Sequence, residues 1–125
     1  MENKLKLLSI DHINMKVKNL NETVTFYNKL FGFEVKKDQP ERNSKIIGND
    51  ALKLCLYEQA EFTLGDAIGH FGFHIENFDD TIAKCNEMNI EMPYGLVEYE
   101  DSRSVYINDP NGYEIELSEV KGGGL

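Results

Sequence analysis

Basic residues are scarce: 13 stand against 22 acidic ones in 125 residues, for a formal net charge of −9. A chain so short of positive charge lacks the stripe that grips a phosphate backbone, which excludes nucleic acid as the expected partner. The same shortage disfavours anionic membrane surfaces. Long apolar runs are missing too. None approaches the roughly 20 residues of a membrane helix, and the first ten residues are too charged, with too short an apolar part, for a secretory signal. Cysteine is limited to Cys55 and Cys85, with no C-x-x-C spacing. Both read as reduced core residues, because a chain of this length buries roughly two-thirds of its unfolded surface and needs no staple. The expected compartment is therefore the cytoplasm. What is present, 41% hydrophobic and 28% charged residues, is the balance of one globular domain over residues 1–125.

The main positive feature is an internal repeat. His12-Ile-Asn-Met-Lys-Val-Lys-Asn-Leu-Asn-Glu-Thr-Val24 aligns with His70-Phe-Gly-Phe-His-Ile-Glu-Asn-Phe-Asp-Asp-Thr-Ile82. His12 falls on His70, Asn19 on Asn77 and Thr23 on Thr81, and the apolar positions coincide between them. Each half opens as an alternating strand, Ile13, Met15 and Val17 on one face and His12, Asn14 and Lys16 on the other. A helix follows, with Asn21 expected as the first N-cap and Asp79 or Asp80 as the second. Gly32 ends the first helix. Short β-like segments come next: 32–37, 44–48 and 51–58 in the first half, then a piece near Ile90, 96–100, 104–108 and 112–119 in the second. Asp109-Pro-Asn-Gly112 reads as the turn joining the last two.

The expected architecture is α+β, with two βαβββ modules over residues 5–60 and 66–119 and a flexible tail at 120–125. One such module leaves a sheet face bare, so the two are expected to pack together or curl into an open, partial barrel. Three strands carry ligand-type residues opposite their apolar faces: His12, then His70 and His74, then Glu114 and Glu116. Two imidazoles and a carboxylate suit a divalent first-row metal and leave coordination positions for substrate. On an antiparallel sheet with one solvated face, each of these residues taken alone needs no such explanation. The symmetry of His12 and His70 is what raises the metal reading. In the repeat, Glu116 is matched to Leu54 by setting Ala51-Leu-Lys-Leu-Cys-Leu against Tyr113-Glu-Ile-Glu-Leu-Ser.

The stretches Asp11-His-Ile-Asn-Met-Lys-Val, Thr25-Phe-Tyr-Asn-Lys-Leu-Phe-Gly-Phe33, Gly69-His-Phe-Gly-Phe-His-Ile75 and Tyr106-Ile-Asn-Asp-Pro-Asn-Gly-Tyr-Glu-Ile-Glu-Leu117 resemble the vicinal oxygen chelate superfamily. That group includes glyoxalase I, extradiol dioxygenases, fosfomycin-resistance transferases and bleomycin-binding proteins. The resemblance implies paired βαβββ modules around a metal site, with His12, His70 and Glu116 at the ligand positions and one divalent ion of Fe, Zn, Mn, Ni or Co. Leu54, matched to the fourth-ligand position of glyoxalase I, counts against that enzyme. Asn14 in place of a threonine, and the lack of an arginine beyond the carboxylate, count against the fosfomycin transferases, whose dianionic substrate would find only Lys16 and Arg103 nearby. Tyr106, ten residues before Glu116, matches the active-site tyrosine of the ring-cleaving enzymes and can donate to an oxyanion. His74 is the remaining histidine that can move a proton. The implied function is a metal-dependent, Lewis-acid enzyme of dioxygenase, lyase or isomerase type on a small oxygenated metabolite, with a homodimer expected. The alternative is a metal-free protein of the bleomycin-binding kind that sequesters a drug or metabolite, for which the acidity suits a cationic ligand.

Overall fold

A computed structural model describes residues 4–65 and 67–124. The chain divides into two compact units, Met1–Ala60 and Glu61–Leu125, each running through the βαβββ succession that the repeat predicts. In the first unit, β1 (His12–Val17) leads to α1 (Leu20–Phe31), then β2 (Glu34–Gln39), β3 (Ser44–Gly48) and β4 (Lys53–Glu58). The sheet order is β1-β4-β3-β2, with β1 parallel to β4 and the other pairs antiparallel. The second unit repeats this with β5 (Phe71–His74), α2 (Phe78–Glu87), β6 (Val97–Glu98), β7 (Arg103–Asn108) and β8 (Glu114–Ser118), in the order β5-β8-β7-β6. Both sheets are open. No helix among the described residues is long and apolar enough to cross a membrane.

Alternation sets which face is buried. Met15, Val17, Ile47, Leu54 and Leu56 are buried with Tyr27 of α1 in the first unit; Val105, Ile107, Ile115 and Leu117 are buried in the second, as are Phe78 and Cys85 of α2. Burial of these side chains drives each unit together. Cys85 is thus a free core thiol as expected. Cys55 is also free but only half-buried, because it falls on the opposite face of β4 from Leu54 and Leu56.

The repeat explains helix initiation better than the expected caps do. Asn19, not Asn21, caps α1: its side-chain oxygen accepts from the Glu22 backbone N–H at 2.9 Å. The matching Asn77 holds the cap position of α2 without a side-chain bond, and Asp79 and Asp80 lie in the first turn, where acidic groups favour the positive helix end. Thr23 and Thr81 donate back to the carbonyls of Asn19 and Asn77 at 2.8 and 2.9 Å. Two of the three repeated identities therefore serve helix starts, while the third, His12 with His70, has no such local role. At its other end α1 stops at Gly32, whose φ of 71° fits the left-handed cap conformation. Asn19→Ala should lower stability by about 1 kcal/mol in a denaturation experiment; an unchanged midpoint would show the cap to be idle.

The expected strand piece near Ile90 is absent. Asn89 turns the chain with φ of 56°, and the Ile90 N–H bonds the Cys85 carbonyl, so the segment closes the helix instead of pairing with a strand. The expected strand at 96–100 shrinks to Val97–Glu98.

Candidate metal centre

Strand register decides which side chains meet. In the second unit β5 pairs with β8 so that Gly72 opposes Glu116 and His74 opposes Ser118, while β7 sets Tyr106 opposite Glu116 and Ser104 opposite Ser118. His70, immediately before β5, thereby comes beside Glu116: its Nε2 lies 3.0 Å from Glu116 Oε1. Two donors each about 2.1 Å from one ion, at a right angle, stand about 3.0 Å apart. The contact is a hydrogen bond between an imidazole nitrogen and a carboxylate oxygen, two donor types that also suit a divalent ion. His70 is 40% exposed and Glu116 only 16%, so the pair has a buried anchor and an open side.

Glu116 is held on its other oxygen. Ser104 Oγ donates to Oε2 at 2.7 Å and Ser118 Oγ does so at 3.1 Å. Burial pushes the carboxyl upward, but hydrogen bonds from Ser104, Tyr106 and Ser118, with the His70 charge, outweigh it and hold Glu116 below the ordinary glutamate value. It is an anion, ready to ligate. Tyr106 stands edge-on to His70, ring centroids 5.4 Å apart, and its hydroxyl meets that of Tyr99 at 2.7 Å. Burial above all, then hydrogen bonds with Tyr99 and Glu116, push the Tyr106 phenol upward. The phenol is thus a proton donor that keeps its proton.

A cleft of about 670 Å³ lies in this unit, lined among others by Gly72, His74, Tyr99, Glu116, Ser118 and Lys121. A β-carbon on Gly72 would meet nothing within 4 Å, so the glycine keeps open space beside Glu116. His74 reaches the same cleft. Lys121, Gly122 and Gly123, within the stretch expected as a tail, also line it, both glycines with left-handed backbone at φ of 67° and 66°. The volume suits a small organic molecule.

His12 belongs to the first unit, where its Nδ1 lies 2.8 Å from Asp11 Oδ2. A carboxylate on Nδ1 fixes the ring and leaves Nε2 for ligation. Among the described residues, no group of three or more His, Cys, Asp or Glu side chains is gathered closely enough to hold a metal. Of the expected ligands, the structure brings together His70 and Glu116.

Register also corrects the match made between Leu54 and Glu116. Asn14 pairs with Cys55 as its repeat counterpart Gly72 pairs with Glu116, so Cys55 is the true equivalent. Leu54 is a core residue, 1% exposed. A slip of one residue moves a strand position to the other face, and the objection to glyoxalase I loses its leucine: the place is held by a thiol. Arg103 is likewise no free cation for an anionic substrate. It grips Glu119 through Nε at 3.1 Å and Nη2 at 2.6 Å, reaches Asp79 at 3.2 Å and lies over the Phe78 ring. The sequence reading gave no role to Ser104, Ser118 or Tyr99. The signal for the serines was there, since Ser104 shares the face of Tyr106 and Ser118 lies two residues beyond Glu116.

A sheet unit with this topology, doubled, matches known proteins. The chain belongs to the Glyoxalase/Bleomycin resistance protein/Dioxygenase superfamily, whose model matches residues 9–117. It is 30% identical over 122 residues to a trivalent organoarsenical cleaving enzyme of Bacillus sp. (strain MD1), covering 88% of this chain and 72% of the relative. It is 26% identical over 128 residues to the lactoylglutathione lyase of Neisseria meningitidis serogroup A, covering 90% and 91%. Among solved structures, the fosfomycin resistance protein FosX of Listeria monocytogenes superposes with a TM-score of 0.79 at 22% identity, covering 96% of this chain and all of the other, a likeness of fold.

Proposed function

We propose that this chain is a metal-dependent enzyme in which His12, His70 and Glu116 hold one divalent ion and a small oxygenated molecule binds in the cleft of the second unit. The observation that carries the reading is the 3.0 Å approach of His70 Nε2 to Glu116 Oε1. The unexplained identity of His12 with His70 supports the third ligand, and Asp11 on its Nδ1 supports its orientation. A divalent ion held by these residues would supply Lewis acidity toward a substrate oxygen.

The protein's own groups do the rest. Tyr106 donates its phenolic proton as a hydrogen bond to the oxygen on which charge grows, and Tyr99 orients that hydroxyl. His74, on the cleft wall, accepts or returns a proton there. Among dioxygenase, lyase and isomerase chemistry, the lyase type is favoured by relatives named for cleavage and for lyase activity. A homodimer belongs to the same reading: Leu5, Leu7, Leu8 and Ile10 stand largely exposed before β1, an apolar stretch of the kind that subunit contacts cover. Its mass in solution decides that point.

The test is a screen of compounds with adjacent oxygen atoms, run on protein loaded with each of Fe(II), Zn(II), Mn(II), Ni(II) and Co(II) and on chelator-stripped protein. Turnover by a loaded form and none by the stripped form is expected. Tight binding of an organic cation, unaffected by stripping and without turnover, would favour sequestration instead.

A further inference from the structure

Glu116 uses its two oxygens differently. Oε1 faces His70, whereas Oε2 takes hydrogen bonds from Ser104 and Ser118, whose own hydroxyls stand 3.2 Å apart. Ser104 is fully buried and Ser118 is 7% exposed. We propose that Ser104 and Ser118 are positioning residues that occupy Glu116 Oε2 and so commit the carboxylate to bind a divalent ion through Oε1 alone. This rests on the metal reading given above.

The first unit provides an internal comparison. Ser44 pairs with Tyr57, and Ile46 with Cys55, as Ser104 pairs with Ser118 and Tyr106 with Glu116. Ser44 is therefore the counterpart of Ser104, and Cys55 stands where the carboxylate would be. The Ser44 hydroxyl is buried and has no hydrogen-bond partner. With Cys55 in place of the carboxylate, the serine at this strand position of the first unit stands unsatisfied. In the second unit the carboxylate satisfies it, which ties the Ser104 hydroxyl to Glu116 and not to the sheet.

A carboxylate fixed through one oxygen presents the other at a set distance and direction, whereas a freed one can turn and chelate with both. Beside an ion held by His70, that difference decides how many positions remain for substrate. Removing both hydroxyls should therefore weaken binding, because the ligand must be oriented at the moment of capture, and should change the coordination geometry.

The experiment titrates Co(II) into the full chain and into Ser104→Ala/Ser118→Ala, with Ser118→Ala and Ser118→Thr alongside, following heat of binding and the visible Co(II) bands. Binding about 10–100-fold weaker is expected for the double variant, the range typical of groups that orient metal ligands. An altered band pattern is expected with it, and near-parent behaviour in Ser118→Thr, which keeps the hydroxyl. Should the double variant fail to fold, the contrast between Ser118→Ala and Ser118→Thr carries the test. Double-variant binding within about twofold of the parent with unchanged bands, or Ser118→Ala indistinguishable from Ser118→Thr, overturns the role of the serines while leaving the metal reading intact. A parent that binds no Co(II) and none of the other divalent ions overturns the metal reading, and this inference with it.

Discussion

Glu116→Ala is expected to abolish measurable divalent-metal binding and also to lower folding stability by about 1–3 kcal/mol, the range for leaving buried polar groups unsatisfied. Metal binding goes because the carboxylate beside His70 Nε2 is gone. Stability falls because the Ser104 and Ser118 hydroxyls, both buried, lose their acceptor. The two serines can still bond each other at 3.2 Å, which places the loss toward the lower end. His70→Ala provides the contrast. Its ring is 40% exposed, and Glu116 keeps hydroxyl donors when it is removed, so metal binding should vanish with stability nearly unchanged. Urea denaturation and metal titration of both variants measure the two effects separately. Unaltered stability in Glu116→Ala would contradict the hydrogen-bonded anchoring of the carboxylate.

Tyr106→Phe is expected to reduce turnover by about 10²–10³-fold, the usual effect of removing one donor to a developing oxyanion. The phenylalanine ring preserves the edge contacts to His70 and Tyr94 and removes only the hydroxyl. Metal stoichiometry should stay at the parent value. This separates chemistry from packing: a residue present only to fill space between those rings would leave turnover unchanged on substitution. Steady-state rates on the substrate found in the metal-loaded screen provide the measurement. Full activity in Tyr106→Phe would remove the phenol from the mechanism.

Strand alternation and the repeat made the fold legible, because each sheet buries one face and each helix follows a strand at the same offset. Ile13, Met15 and Val17 announce β1, and Ile115 and Leu117 announce the core face of β8 as plainly. Helix boundaries were harder to place. Asn19, Asn21 and Asn77 are all chemically able to cap, and only the backbone shows that the helices start where the repeated asparagines stand. The segment around Ile90 has apolar residues but turns through Asn89, a conformation that a pattern of hydrophobicity does not encode.

The sequence placed His70 and Glu116 on polar strand faces, and the structure brings those two together, but the side chains around them were not legible. His70 and Glu116 follow from face and repeat. Which residue of β4 answers Glu116 depends on register, and only the pairing of β1 with β4 separates Cys55 from Leu54. Arg103 shows the limit from another side. A lone arginine on a strand looks available to an anion until Glu119 and Asp79 are found on its guanidinium. The roles of Ser104 and Ser118 depend on cross-strand distances of a few ångströms, which composition and spacing do not carry.

The most direct test of the central claim is the number of divalent ions bound per chain by the parent protein and by the His12→Ala/His70→Ala double variant, measured by elemental analysis after dialysis against each metal. One ion per chain in the parent and none in the double variant is the predicted result. One ion per chain retained by the double variant would contradict the account.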